Sequence, residues 1–304
     1  MEKGEGGRIP VNGKMKICSV ILNYNDAETT EQLVRLIHEY DVPEEIVVVD
    51  NASTDDSWEQ LKGLEDEKVH VIRSEKNGGY GAGNNLGVRY AVEHCQATHV
   101  LIMNPDVTIA EETIIRMLKL FEKHPDIGVM SARMHDVTYG EMTGGWPLRG
   151  YLRQLLAMGP ISRRLFAPFL EYSKSYFEEK KAVAVDVVHG SLLMIDAERF
   201  LEAGGYDEGI FLYQEEDVLG WKMRTMGLRT VLLLDRSYDH AHSVSISKSF
   251  SGQIERQRLR EQSVLYYMKN YLHISRVQEW FAKVWFWGIR MEIRTAQIFS
   301  QKEK

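Results

Sequence analysis

Five short stretches of this 304-residue chain carry side chains whose types and spacing suit chemistry. In NPD, residues 104–106, Asp106 follows the apolar run Val100 to Met103, and Pro105 ends that run because it has no N–H for a ladder. A carboxylate at a strand end, near a glycine-rich loop, suits a divalent cation held against a diphosphate, since Mg²⁺ takes one or two carboxylates and fills its shell with phosphates. Asp106 suits equally well a cap for the helix that EETII begins. In VVVDNASTDDS, residues 47–57, Asp50 and Asn51 are placed to accept from a ribose hydroxyl or a base N–H, while Ser53, Thr54 or Asp55 suits a helix N-cap. In NGGYGAGNNLG, residues 77–87, the glycines allow close backbone approach to a phosphate or sugar, and the helix that follows favours an anion at its N-terminus. Glu215, Glu216 and Asp217 stand together near Phe211, Leu212 and Trp221. Like charges and apolar neighbours raise a carboxyl pKa, which suits a general base; acids opening a helix also merely offset its dipole. His240 and His242, two apart, share a face in extended structure and suit metal or phosphate, or plain solvation.

The elements that must position these groups alternate over residues 16–133. Strands are expected at 16–24, 44–52, 68–74, 98–104 and 127–133, and helices at 29–40, 56–64, 82–95 and 111–124. Strands alternating with helices of this length predict βαβ units and a parallel sheet, with ligands beyond the carboxyl ends of the strands. Asp50, Asn51 and Asp106 all fall at such ends. Residues 146–182 break the rhythm with Trp146, Pro147, Pro160 and Pro168 and with the basic set Arg149, Arg153, Arg163, Arg164 and Lys174, predicting a mobile or partly helical excursion over the sheet. VAVDVVHGSLLMID and TVLLLDRSY return as extended structure, and from about Gln253 the pattern is helical and aromatic.

Composition narrows the class. The 44% hydrophobic content supplies a sizeable core, and a net charge of −7 disfavours bulk nucleic-acid binding. From Gln253 onward ten Lys/Arg face five Asp/Glu, a local balance of +5. Cys18 and Cys95 fit buried thiols of a reducing compartment. Residues 1–14 are polar and glycine-rich, read as a disordered leader, and no run of about 18 apolar residues predicts a membrane span. A cytoplasmic protein is expected.

SVILNYN, VVVDNASTD, NGGYGAGNN and MNPDV, in this order, resemble the donor half of family 2 inverting glycosyltransferases. GSLLMIDAERFLEAGGYDEGIFLYQEEDVLGWKMRTMG and then HAHSVS resemble the acceptor half, with the flavour of the rhamnosyltransferase-like group of bacterial surface polysaccharide synthesis. The resemblance covers about residues 16–245. It implies an α/β GT-A fold, a mostly parallel Rossmann-like sheet flanked by helices, spanning residues 15–250 (donor half 15–135, acceptor half 183–250), with a helical extension over 251–304. It also implies a UDP- or dTDP-linked sugar donor, Mg²⁺ or Mn²⁺, and a glycan or lipid-linked acceptor. By motif matching, Asn23 and Tyr24 would line the nucleotide pocket, and Asp50 and Asn51 would contact base or ribose. Asn77, Gly79 and Asn84 would lie against nucleotide or donor sugar. Asp106 matches the last acid of the family's DXD motif, whose first position is Asn104 here; Glu216 matches the catalytic acid, with Glu215 and Asp217 as rivals; His242 or His240 matches the late histidine of the metal site.

The implied reaction is glycosyl transfer, possible rivals being a non-catalytic nucleotide-sugar or glycan-binding relative and an NAD-dependent oxidoreductase. The latter needs a glycine fingerprint directly after the first strand, where this chain has NYNDAE. In the tail, Val277, Phe281, Val284, Trp285 and Gly288 are expected near one helix face with Ile289 at its edge, widened by Trp280 and Trp287, with Lys283, Arg290 and Arg294 adding charge. Such a stripe suits packing on the catalytic domain or in a homodimer, or peripheral contact of residues 275–299 with the inner face of the plasma membrane.

Overall fold

The computed structural model describes residues 15–136, 140–142, 144–241 and 252–302; the expected leader and His242 lie outside them. The first half follows the alternating pattern: β1 Ile17–Asn23, α1 Ala27–His38, β2 Glu45–Asp50, α2 Ser57–Lys62, β3 Val69–Arg73, α3 Tyr80–Glu93 and β4 His99–Met103. A three-residue strand β5, Val107–Ile109, intervenes before α4 Glu111–Lys123 and β6 Ile127–Asp136. Short strands β7 Gly140–Met142 and β8 Gly145–Trp146 precede three short helices, α5 Tyr151–Met158, α6 Pro160–Leu165 and α7 Ala167–Leu170. Then come β9 Ala182–Val185, β10 Val187–Val188, β11 Leu192–Asp196, α8 Ala197–Glu202, α9 Glu215–Thr225 and β12 Arg229–His240. Helices α10 Gln253–Asn270 and α11 Arg276–Lys302 end the described chain.

Among the described residues, ten strands form one sheet: eight lie on the path β3-β2-β1-β4-β11-β6-β12-β5, with β7 paired to β6 and β9 to β12 beside it. β1 to β4 pair in parallel, and so do β6 and β12. Both faces of β1 are buried: Ile17 and Ile21 join the core under α1, α2 and α4, while Cys18 and Val20 join the core under α3, α8 and α9. A strand sealed on both sides must be apolar throughout, which is why IVVV and VLIM carry no alternation. Each fully buried Val, Ile or Leu contributes about 1.5–3 kcal/mol, so the strand ends rest on a stiff base. Both cysteines are buried free thiols.

The sheet is mostly parallel, as expected, and its strand order is what the sequence left open: β6 is not the neighbour of β4. β11 lies between them, antiparallel to both, with Leu192 opposite Met103 and Met194 opposite Met130. LLMI is apolar enough to sit centrally, and periodicity carries no information about which strands pair. The reversal brings the start of β11 to the carboxyl end of β4, where Asn104 N–H donates to Ser191 O at 2.8 Å.

The tail packs through a face other than the expected stripe, of which only the edge residue Ile289 turns inward. The face of α11 that packs is Ala282, Phe286, Ile289 and Ile293, against Leu155, Met158, Val264 and Met268. The expected stripe of Val277, Phe281, Val284 and Trp285 is the exposed one, Val277 at 65% and Phe281 at 56%. α11 is apolar on both sides, so one stripe read from sequence could not say which face turned inward. The excursion 146–182 is largely helical and holds α11 in place: Trp285 Nε1 donates to Leu155 O at 2.8 Å, and Tyr151 OH to Gln278 O at 2.7 Å. No helix among the described residues is long and apolar enough to cross a membrane.

Candidate active site

Parallel pairing sets the first half of the site. β1, β2 and β3 end in register, so Asn23, Asp50 and Arg73 stand side by side. The Asp50 carboxylate meets Arg73 Nε at 3.1 Å and accepts from Asn23 Nδ2 at 3.1 Å and Ser53 N at 3.2 Å. Asn23 also donates to Ser53 Oγ and accepts from Thr30 Oγ1. Asn23, Asp50 and Asn84 are fully buried, so they stand behind the surface that a ligand would meet rather than on it. Tyr24, Asn77 and Asn104 are half-buried. Asn51 joins the two loops by donating to Asn77 Oδ1 and Gly79 O, both at 3.1 Å. Arg73 and Thr30 were not singled out from sequence, and Ser53 only as an N-cap candidate; the N-cap of α2 is Asp56, and the register of three strands reveals what these residues hold.

The glycines of residues 79–87 are explained by packing. A Cβ on Gly83 would lie 2.3 Å from Leu22, so this turn of α3 lies directly on β1. Gly79 has φ +92°, and a Cβ there would fall 2.1 Å from the Phe211 carbonyl oxygen. That carbonyl accepts from Tyr80 N at 3.0 Å, docking the glycine loop onto the segment before the acids. Tyr80 OH then donates to Gly190 O at 2.8 Å.

The turn His189-Gly190-Ser191, between β10 and β11, is the hub of the second half. Asp106 meets His240 Nε2 at 3.2 Å, and these side chains are 8% and 5% exposed. The His240 and His189 rings pack edge-on with centroids 5.5 Å apart. Ser191 Oγ shares a hydrogen bond of 2.8 Å with Tyr238 OH. Gly190 lies against Glu216, where a Cβ would come within 2.9 Å of its Oε1. Asp106, His240 and Glu216 thus surround one turn. His189, Ser191 and Tyr238 are the residues that sequence reasoning missed here; HGS before an apolar run was the available signal.

The three acids have separate environments. Asp217 is buried and accepts from Trp146 Nε1 at 3.3 Å and Gln154 Nε2 at 3.1 Å. Glu215 is buried, and its Oε1 has no hydrogen-bond partner. Burial, then the charge of Glu216, pushes its carboxyl well above the usual range. Glu216 is half-buried; burial raises its pKa too, helped by the charge of Asp217 and opposed by the Gly190 N–H and Arg149. Tyr213 and Gln214, which lead into α9, have φ of +71° and +79°. Two successive left-handed non-glycine residues cost about 1–3 kcal/mol each, strain that accumulates where a site needs a fixed geometry.

Asp106 and His240 supply a carboxylate and an imidazole, a donor set that fits Mn²⁺ or Mg²⁺ completed by phosphate oxygens. A different group, Glu45, His70 and Cys95, is also close enough to hold one ion. It belongs to the other end of the strands, since Glu45 opens β2 and Asp50 closes it. Glu45 there is already bound by Lys16 at 2.6 Å and His70 at 2.8 Å.

Comparison with known proteins agrees with this layout. The model of "Glycosyl transferase family 2" matches residues 18–193. The low-salt glycan biosynthesis hexosyltransferase Agl10 of Haloferax volcanii is 29% identical over 197 residues, 65% of this chain and 58% of that protein. The dolichol-phosphate mannosyltransferase of Pyrococcus furiosus is 27% identical over 58% of this chain and 48% of its own, so the chain spans under two thirds of either relative. The N-acetylglucosaminyl-diphospho-decaprenol L-rhamnosyltransferase of Mycobacterium tuberculosis is 24% identical over 66% of this chain and 68% of its own. Among solved structures, the mannosyltransferase PcManGT of Pyrobaculum calidifontis, in complex with GDP-Man and Mn²⁺, superposes with a TM-score of 0.57 at 19% identity, covering 87% of this chain and 66% of that one. The fold is GT-A, and the chain belongs to glycosyl transferase family 2.

Proposed function

We propose that the protein transfers a sugar from a nucleotide-diphosphate donor to a hydroxyl of a glycan or lipid-linked glycan, inverting the anomeric carbon. The observation that carries this reading is the turn 189–191, which has the Asp106–His240 pair on one side and the half-buried Glu216 on the other. Tyr24, Asn51 and Asn77 form the nucleotide wall, with Asn23, Asp50 and Asn84 fixing it from beneath. Asp106 and His240 would hold the divalent cation, which would neutralise charge on the departing diphosphate. Glu216 takes the proton of the acceptor hydroxyl, and that oxygen attacks the face of the sugar opposite the leaving group. Holding both substrates at one turn removes much of the entropic barrier. Rhamnose as the sugar, dTDP or UDP as the carrier and surface polysaccharide as the product are supported by the motif resemblance and by the name of the Mycobacterium relative.

A screen of nucleotide sugars with Mn²⁺ tests the reading. One donor should be hydrolysed slowly to nucleoside diphosphate and sugar, and its nucleotide, unlike NAD, should raise the melting temperature. Binding without hydrolysis or transfer would instead make the chain a nucleotide-sugar-binding module.

The exposed side of α11 supports work at a membrane. Trp280, Phe281 and Trp287 are 56–60% exposed, and α6, joined to α11 by Ile161 N–H to Glu292, adds exposed Ile161 and Leu165. Arg163, Arg164, Lys283 and Arg294 are exposed among them, which suits an anionic lipid surface on the cytoplasmic side. The protein is expected to co-sediment with anionic vesicles at low salt. Changing Trp280 and Phe281 to Glu should abolish this while the chain stays folded and monodisperse. Vesicle-independent dimerisation lost in the same variant would assign the face to a second copy.

A further inference from the structure

We propose that the pocket between α9, α10 and residues 148–150 binds the diphosphate of a lipid-linked acceptor, an inference that rests on the glycosyl-transfer reading and gives it an acceptor class. The cavity, about 430 Å³, is lined by Arg149, Gly150, Trp221, Arg224, Tyr267 and Leu272 among others. It has two cations and an aromatic and aliphatic wall. Arg149 is the informative one. Its guanidinium lies over the Trp146 ring at 5.5 Å, and its buried Nε has no hydrogen-bond partner. The carboxylate nearest in charge, Asp217, is already committed to Trp146 and Gln154. Burial lowers the Arg149 pKa, as expected of a cation stripped of water without full compensation. A half-buried guanidinium whose Nε lacks a partner is satisfied best by an oxyanion, and a planar fork suits phosphate.

The position of the pocket specifies which phosphate. On one side, Arg149 is three residues from Trp146, whose indole fixes Asp217 next to Glu216. On the other, Gly150 is followed by Tyr151, whose hydroxyl holds the Gln278 carbonyl of α11, one turn from exposed Trp280 and Phe281. The segment that lines the pocket thus runs from Trp146, beside the neighbour of the candidate base, to Tyr151, which meets the start of α11. A lipid-linked sugar needs that order: isoprenoid at the membrane, diphosphate at the arginines, reacting hydroxyl at Glu216. A nucleotide donor has its phosphates at Asp106, beyond the turn 189–191.

The test is direct binding to the full chain, followed by tryptophan fluorescence, with farnesyl diphosphate, farnesol and inorganic pyrophosphate as probes. Farnesyl diphosphate should bind more tightly than either of the others. Arg224→Gln and Arg149→Gln should each weaken it about tenfold or more, the expected loss of a charge-assisted contact. UDP affinity with Mn²⁺, read on the same samples, should not change. Arg224 is exposed, so its variant keeps the test valid if Arg149→Gln fails to fold. Equal affinity in wild type and Arg224→Gln overturns the proposal. Farnesol binding as tightly as farnesyl diphosphate overturns it in favour of a plain lipid groove, and pyrophosphate binding as tightly overturns it in favour of a free-phosphate site. A wild type that binds UDP but not farnesyl diphosphate refutes the subsite alone; absence of any nucleotide binding refutes glycosyl transfer.

Discussion

Glu216→Gln is expected to lower the turnover of sugar transfer about 10²–10⁴-fold, the usual contribution of a positioned general base, with nucleotide affinity unchanged. The amide keeps the shape of the side chain and its contact with Gly190 but cannot accept the proton. The neighbouring acids are less suited: Asp217 is occupied by an indole and an amide, and Glu215 is sealed. If Glu215→Gln or Asp217→Asn causes the loss while Glu216→Gln does not, the base has been assigned to the wrong acid. The pH profile gives a second readout. Burial raises the Glu216 pKa, and the base must be ionised, so turnover should rise with pH through a value above the ordinary 4.5 of a glutamate. Stability should move the other way. Glu215 and Glu216 both hold their protons more tightly in the fold than in the unfolded chain, so the fold binds more protons. That stabilisation is fully present below the unfolded value and is lost as pH rises through the raised folded values. The melting-temperature gap between wild type and Glu215→Gln should therefore change between pH 4.5 and 8, wild type losing ground as pH rises, and a gap that stays constant would contradict this account.

The contrast between these acids was not legible in the sequence. EED reads as three equivalent carboxylates at a helix start, and it takes the fold to bury two and leave the middle one half-open beside Gly190. The alternation of the first half was legible because each strand is an apolar run sealed on both faces and each helix an amphipathic stripe, both local properties. Asp50 and Asp106 at strand ends followed from that alternation. The insertion of β11 between β4 and β6 did not, since pairing partners are set by long-range packing that no window of sequence contains. His189, Ser191 and Tyr238 were missed for the same reason: they matter only because β11 runs backwards and starts where β4 stops. The family resemblance found the acceptor half, where periodicity marked only extended runs. The glycines of residues 79–87 invited a phosphate reading, yet Leu22 and the Phe211 backbone already stand where the Cβ atoms of Gly83 and Gly79 would be.

Asp106→Ala is expected to lower transfer at least about 10²-fold, since charge stabilisation of a leaving diphosphate contributes several kcal/mol and each 1.36 kcal/mol is tenfold in rate. Among the described residues Asp106 pairs with the side chain of His240, and it follows a fully packed strand rather than lying in it, so its removal should leave the sheet core intact. With Asn104 in the first acid position of the motif, the proposed cation site has Asp106 as its motif carboxylate and, among the described residues, the His240 imidazole beside it. Mn²⁺ binding should accordingly be weak without nucleotide and strengthen when a diphosphate completes the shell. EDTA should reproduce the loss in wild type, and added Mn²⁺ should restore wild type but not the variant. Mn²⁺ titration followed by electron paramagnetic resonance gives a readout independent of turnover: wild type with UDP should bind the ion, and Asp106→Ala with UDP should not. Asp106→Asn separates charge from contact, because the amide still reaches His240 but supplies no negative charge. A variant as active as wild type in EDTA, or one that binds Mn²⁺ equally well, would remove Asp106 from the metal site.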